Sequence, residues 1–157
     1  MIADGIIMSK FIQLIQLWGG AHEYLLNYLQ VLQNRAARMV TKCGWFTTTE
    51  STLRQCGWLS IRQLVVYHNV LQVYKVKKTQ QPKYLYNKLS TNVQTTRHVG
   101  NHGIRENAKF KSDLGTRNFT FLATKQWNTL PPTIRTSSTV ESFKKDVKNW
   151  IQTNIPI

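Results

Sequence analysis

The sequence predicts an all-α protein, a bundle of about six helices with one long polar loop. Apolar residues recur at three- to four-residue spacing in several segments, as one face of a helix requires. A hydroxyl residue followed three positions later by Glu or Gln, the pattern that caps a helix start, occurs at Thr47, Ser60 and Ser138. Two of the helical segments end at the pairs Gly19-Gly20 and Pro131-Pro132.

Two helices are predicted in the first forty residues. Residues 2–18 are apolar on nearly all sides, which predicts a buried helix that stops at Gly19. Without a further domain to cover it, this helix would expose apolar surface. Residues 22–42 predict a second helix, and its apolar stripe is formed by Leu25, Leu29, Leu32, Ala36 and Met39 or Val40.

Capping patterns and a proline place the next three helices. The run Thr47–Glu50 predicts the start of a short helix that ends near Gly57. Ser60 with Gln63 opens a long helix over about 61–78, and Pro82 can start a shorter one through Leu89. The apolar face predicted for the long helix carries Leu64, Val65, His68, Leu71 and Tyr74.

Residues 90–118 interrupt the helical pattern because they are rich in Thr, Asn, Gly and charged residues. They predict a long polar loop, and a short β-hairpin within it is left open. Helical spacing returns at 119–130 and again after the Ser138–Glu141 capping pattern. We therefore predict a helical part over 1–89, a polar loop over 90–118 and a C-terminal helical cap over 119–157, packed together as one domain.

The charge of the chain indicates the class of its partner. Lys and Arg number 21 against 7 Asp and Glu, a net charge of +14, and the excess lies in both halves of the sequence. A folded domain this basic repels itself unless a polyanion binds it, so an RNA or DNA backbone is the expected partner. A merely soluble basic protein is the alternative.

The cysteines and the N-terminal segment bear on location. Cys43 and Cys56 do not make a disulfide framework, and no secretory signal is recognisable. The apolar segment 5–18 contains Lys10 and is too short to span a bilayer. We expect an intracellular protein, nuclear if it is functional, with no membrane partner.

The sequence shows no recognisable set of catalytic or metal-binding residues. Two-metal polymerases and nucleases need carboxylates close together, and none of the seven acidic residues is adjacent to another. His98 and His102 have a spacing that suits zinc, but Cys43 and Cys56 are thirteen positions apart and lack the close pair of a zinc finger. We expect no cofactor, no metal, no small-molecule substrate and no enzymatic activity of this chain alone.

Basic residues are the candidate site. Their side chains can neutralise phosphates with little sequence preference, although a solvated helix face is the simpler interpretation of any single lysine. One row consists of Arg35, Arg38 and Lys42, a second of Lys75, Lys77 and Lys78, and the loop adds Arg97, Arg105, Lys109, Lys111 and Arg117. The five tryptophans are predicted to anchor the core and not to stack on bases.

Six phrases of the sequence, in order, resemble the C-terminal region of the reverse transcriptase of non-LTR (LINE-type, jockey-like) retrotransposons. The resemblance covers nearly the whole chain. The phrases are IADGIIMSKFIQLIQLWGGA, LQNRAARMVTKCGW, CGWLSIRQLVVYHNVLQVYK, PKYLYNKL, GTRNFTFLATKQWNTLPPTIR and VESFKKDVKNWI.

The resemblance implies that 1–89 is thumb-like and that Arg35 to Arg38 belong to helices lying against a template–primer duplex. It places the phrase from Trp127 to Pro131 in the C-terminal cap. The paired palm aspartates and the endonuclease of the family do not occur in this sequence, so the resemblance implies a grip on template–primer or element RNA without catalysis. The palm of a longer polyprotein is a further expected partner.

Two alternatives stay open. Family-like sequence begins directly after Met1, and front-truncated copies are common in the family, so the chain could be a non-functional remnant or a structural module. The turn at Gly57-Trp58 between two helices also suits a helix-turn-helix DNA-binding domain. Against the second alternative, helix 61–78 is apolar where a recognition helix needs polar side chains.

Overall fold

The computed structural model describes residues 4–44, 46–90, 103–104 and 112–157. All elements in this part of the chain are helices, and it contains no strand, which confirms the all-α prediction. After a π-helical turn at Asp4–Met8 the helices are α1 (Ser9–Ile12), α2 (Ile15–Trp18), α3 (Glu23–Thr41), α4 (Thr49–Cys56), α5 (Ile61–Thr79), α6 (Lys83–Ser90), α7 (Asp113–Thr116), α8 (Phe119–Thr129), α9 (Pro132–Arg135) and α10 (Val140–Asn154). Those with eight residues or more are α3, α4, α5, α6, α8 and α10, in agreement with the predicted number.

The chain forms two compact units. Unit 1 comprises Met1–Val65 with Ile155–Ile157, and unit 2 comprises Val66–Asn154. Most of the predicted loop, including any hairpin in it, lies outside the described residues. The predicted division at 89 and 118 therefore stays a prediction.

The N-terminal segment differs from the predicted continuous helix. It is broken after α1, where Leu14 adopts a left-handed conformation with φ of 53°. The break lets Ile15 turn into the core while Leu14 and Leu17 remain exposed, so the expected burial of the segment holds for only part of it. Gly19 ends α2 at a close approach, because a Cβ there would lie 2.6 Å from the carbonyl oxygen of Ile15.

Helix α3 packs on α4 through a different face from the predicted one. Its buried side chains are Leu26, Gln33 and Ala37, whereas Leu25 and Leu32 of the predicted stripe are exposed. The prediction chose the wrong face because the middle position of the buried face is Gln33, and a pattern of apolar residues assigns a polar residue to the exposed side.

Glutamines of α3 fix the chain that enters α5. The Gln33 Nε2 donates to the carbonyl of Leu59 at 2.8 Å, and the Gln30 Oε1 accepts from the N–H of Ile61 at 2.8 Å. The bond from Ile61 satisfies an N–H group that a helix start leaves unpaired, and the bond to Leu59 satisfies a carbonyl in the chain just before the helix. They explain why a glutamine with no exposed surface lies in the core of unit 1.

One predicted capping box is confirmed and two shift by one residue. Ser60 accepts from the N–H of Gln63, and the Gln63 side chain accepts from the N–H of Ser60. The cap of α4 is Thr48 instead of Thr47, and the cap of α10 is Thr139 instead of Ser138. With the cap displaced, Glu50 pairs with Arg54 one turn later at 2.7 Å, a surface ion pair and not the predicted cap.

The core of unit 2 is built around stacked aromatic rings on α5, α8 and α10. The rings of Tyr74 and Phe143 stack with centroids 4.1 Å apart, and Trp127 stacks on Phe143 at 5.9 Å. All three side chains are buried. Offset stacking of this kind adds stability beyond the buried area, so the three helices are held in a defined register around these rings.

The phrase from Trp127 to Pro131 stabilises unit 2 through its asparagine. The side-chain amide of Asn128 accepts from the N–H of Ile104 at 2.9 Å and donates to the carbonyl of the same residue at 2.6 Å. This two-point clamp holds Ile104, which has no exposed surface, and Trp127 and Leu130 of the same phrase are also buried.

Candidate nucleic-acid interface

The first predicted row, two arginines of α3 and the lysine that follows its last residue, does not share one environment. Arg35 and Lys42 are exposed. Arg38 is partly buried and its Nη2 donates to the carbonyl of Thr47 at 3.4 Å, so it braces the chain between α3 and α4. The predicted row therefore presents two exposed cations, and the third is turned toward its own unit.

The three lysines near the end of α5 do not lie on one side of the helix. At 100° per residue, Lys75 lies about 200° around the helix from Lys77. Lys75 is exposed and close enough to His68 to help lower the pKa of that imidazole, although burial lowers it more. Lys77 is half-buried, with its Nζ 5.1 Å from the centre of the Trp127 ring. Lys78 is exposed, with its Nζ donating to the carbonyl of Ser138 and lying 5.9 Å from the ring of Tyr74.

Arg135 joins Lys77 and Lys78, and it was not among the predicted site residues. It ends α9, where its Nε donates to the carbonyl of Leu130 at 2.8 Å and its Nη2 to the carbonyl of Asn128 at 3.2 Å. These carbonyls lie at the end of α8 and would otherwise lack helical partners. The only local signal for this role is an arginine one turn after a proline pair, which does not reveal its neighbours.

Lys77, Lys78 and Arg135 line a small cavity of about 190 Å³, which we call the basic–aromatic pocket. Its walls come from the end of α5, from α8, and from α9 with the turn that follows it. The residues lining it are Tyr74, Lys77, Lys78, Trp127, Arg135, Thr136 and Ser137.

The electrostatics of the basic–aromatic pocket favour an anion. Burial lowers the pKa of Lys77, and the nearby positive charge of Arg135 lowers it further. Burial also lowers the pKa of Arg135. Two partly desolvated cations that repel each other are stabilised when a negative charge comes between them.

The tryptophans do not offer faces for base stacking here. Trp127 is 1% exposed, and Trp58 is also buried, which agrees with their predicted role as core anchors. Trp18 and Trp150 are half-buried, and Trp45 lies outside the described residues. The pocket can therefore contact a charged group but does not read bases.

Of the remaining predicted cations, only Arg117 lies within the described residues. Arg117 pairs with Asp113 at 3.1 Å, and its side chain is 25% exposed. Arg97, Arg105, Lys109 and Lys111 lie outside the described residues, as do His98 and His102. Over the described ranges no three His, Cys, Asp or Glu side chains come together as a metal site would require.

None of the described helices is both long enough and apolar enough to cross a membrane. Comparisons of the chain with protein families, with curated proteins and with solved structures found no match.

Proposed function

We propose that this protein binds nucleic acid through the sugar–phosphate backbone, with little sequence preference and without catalysis. The observation that carries the proposal is the meeting of Lys77, Lys78 and Arg135 at one pocket in a chain of net charge +14. Cations held by a folded framework neutralise phosphates with less loss of side-chain entropy than flexible ones.

The resemblance to the thumb and post-palm region of non-LTR reverse transcriptases extends this proposal. The chain would hold a template–primer hybrid or element RNA for an active site supplied by a palm segment. Exposed Arg35 on α3 and exposed Lys42 at its C-terminal end are suited to such a role, because exposed cations reach a backbone without rearrangement.

The test is the salt dependence of binding. Affinity for a fluorescent RNA–DNA hybrid, a DNA duplex and a single-stranded RNA is measured by anisotropy between low and physiological salt. Each phosphate neutralised contributes about −0.9 to the slope of log affinity against log salt on a duplex, so several contacts give a steep negative slope. A slope near zero on all three ligands would overturn the proposal.

Two matched variants localise the contact. Lys77→Gln and Lys75→Gln each remove one charge from the same part of α5, but only the first removes it from the basic–aromatic pocket. Loss of one phosphate contact should make the slope shallower by about 1 for Lys77→Gln. Lys75→Gln should change the slope by clearly less, and equal effects would contradict the assignment to the pocket.

A structural or interaction module is the second candidate. The large apolar side chains exposed on α3 favour it, because such a face is usually covered by another protein segment. These side chains are Tyr24, Leu25, Tyr28, Val31, Leu32 and Met39. A thermal melt and sedimentation at several concentrations test this candidate: self-association that Leu32→Lys abolishes would support it, and a monomer with a cooperative melt and steep salt dependence would favour nucleic-acid binding.

The helix-turn-helix alternative is less well supported. A recognition helix must present several polar side chains outward. Helix α5 instead buries most of its positions, including Leu64, Val70, Val73 and Val76. A sequence motif enriched in a DNA selection experiment would restore that alternative.

A further inference from the structure

The basic–aromatic pocket is held open by bonds within unit 2. The hydroxyl of Tyr74 donates to the carbonyl of Ser137 at 2.9 Å, and Lys78 donates to the carbonyl of Ser138. Arg135 is fixed from the other side by its bonds to the end of α8. Groups fixed in this way before a ligand arrives lose little freedom on binding, which is the property of a preformed site.

The size of the pocket restricts what it can hold. Sites for drug-sized ligands are about 300 to 1,000 Å³. The cavity of about 190 Å³ is smaller, so it suits a compact group and not a whole nucleotide. Trp127 forms its floor, with Phe143 stacked on the ring and the Nζ of Lys77 over it, which leaves no open ring face for a base.

The chemistry of the lining selects an oxyanion. The described residues lining the cavity include three cations and no carboxylate. Arg135 contributes a delocalised positive charge and Lys77 a compact one, and both groups are typical partners of phosphate oxygens. Burial and, second to it, the positive charge of Arg135 lower the pKa of Lys77, and an anion between the two cations relieves their repulsion.

We propose that the basic–aromatic pocket is a phosphate-binding site that seats a single phosphate group between Lys77 and Arg135, with Lys78 at its rim. The inference rests on the proposed function in one respect, which is that a nucleic-acid chain is the source of the phosphate. Such a site anchors a backbone at one fixed point, in contrast to the diffuse attraction of exposed Arg35 and Lys42.

The first experiment uses inorganic phosphate as the probe. The thermal midpoint of the full chain is measured in increasing sodium phosphate, with the ionic strength held constant by sodium chloride. Phosphate should raise the midpoint of the wild type and of Lys75→Gln, because a ligand that binds only the folded state stabilises it. Lys77→Gln should weaken the apparent phosphate affinity about 10- to 100-fold, since a charge-assisted hydrogen bond is lost.

Lys77→Arg serves as the rescue variant. It keeps the positive charge at the same position, so it should restore most of the phosphate response. Chemical shifts of the Arg135 Nε–H group, followed in the same titration, report the pocket directly and do not depend on stability. An equal response of Lys77→Gln and the wild type, or an unchanged Arg135 signal at saturating phosphate, would overturn the proposal.

The second experiment identifies the source of the phosphate and separates the two proposals. Oligonucleotides of equal length with a 5′-phosphate or a 5′-hydroxyl are bound to the wild type and to Lys77→Gln. Equal affinity of the two oligonucleotides, with both weakened by Lys77→Gln, supports an internal phosphodiester; loss of affinity confined to the phosphorylated one assigns a terminal phosphate.

Nucleic-acid binding with a steep salt slope but no phosphate response would overturn the pocket assignment and leave the proposed function standing. A phosphate response through Lys77 in a chain that binds no nucleic acid would support the pocket and overturn the proposed function.

Discussion

The clamp of Asn128 on Ile104 is the contact whose loss we expect to be most informative about unit 2. Asn128→Ala removes both bonds, to the N–H at 2.9 Å and to the carbonyl at 2.6 Å. Each bond contributes about 0.5–1.5 kcal/mol, and a backbone group left buried without a partner costs about 1–3 kcal/mol. Alanine is the better helix former by up to about 0.7 kcal/mol, which offsets part of the loss.

We therefore expect Asn128→Ala to lower the free energy of unfolding by about 2 kcal/mol. For a chain of this size that corresponds to a decrease of about 4–8 °C in the melting temperature. Urea denaturation followed by tryptophan fluorescence measures the first quantity, and hydrogen exchange at the Ile104 amide measures the local opening. The amide should lose protection, because its N–H no longer has the Asn128 oxygen as its acceptor.

Two neighbouring variants control this measurement. Asn128→Asp keeps an acceptor for the Ile104 N–H but places a carboxylate oxygen against the Ile104 carbonyl, so it should destabilise at least as much as alanine. Thr129→Ala removes a hydroxyl that only bonds back to the carbonyl of Gln126, and it should cost less than about 0.5 kcal/mol. If Asn128→Ala stays within 0.5 kcal/mol of the wild type, with the Ile104 amide still protected, the clamp does not contribute as we argue.

Two further predictions concern burial. The pKa of His68, measured by NMR titration, should lie below 6.5, because burial and, second to it, the charge of Lys75 lower it; it should rise in Lys75→Gln. The unfolded chain then binds a proton that the folded protein does not, so the free energy of unfolding should fall as the pH drops from 6.5 to the folded-state pKa. His68→Gln should abolish that fall. Gln33→Ala should cost about 2–4 kcal/mol in urea unfolding, because it leaves a cavity and an unpaired Leu59 carbonyl, and a cost below 1 kcal/mol would contradict the role given to this buried amide.

The long helices could be predicted because their sequence signals are local. The predicted 61–78 and 119–130 agree with α5 and α8 to within one residue, since apolar spacing and caps act over a single turn. The predicted position of the cap was wrong by one residue where two hydroxyl residues are adjacent, at Thr47-Thr48 and Ser138-Thr139. Either residue of such a pair can accept the first helical N–H groups, and tertiary packing selects one.

The face of α3 and the break at Leu14 were beyond local signals. A polar side chain belongs to the buried stripe of α3 because Gln33 bonds to a carbonyl on another segment, and an apolar count cannot register such a partner. The left-handed Leu14 occupies a conformation that a bulky residue disfavours by itself. With this conformation Ile15 is buried and Gly19 lies close to Val65 of the same unit, and a local sequence pattern does not specify such contacts.

The candidate site could also be predicted only as far as its signals are local in the sequence. Helix geometry alone would have placed Lys75 and Lys77 on different sides of α5, so their division could have been predicted from their spacing. The approach of Arg135 could not, because it depends on the stacking of Trp127 and Tyr74 against Phe143, which brings the end of α9 to the end of α5.

The two roles of Arg135 decide which residue can test the pocket. Its guanidinium satisfies carbonyls at the end of α8 and at the same time supplies positive charge to the cavity. A variant of Arg135 would therefore weaken phosphate binding even if the arginine acted only as a helix cap, because the walls of the pocket would move. Lys77, whose Nζ lies 5.1 Å from the centre of the Trp127 ring, can be replaced in two ways: Lys77→Arg keeps the positive charge and Lys77→Gln removes it. A loss of phosphate binding in Lys77→Gln that Lys77→Arg restores can thus be assigned to the charge itself, which is the property that the proposed site requires.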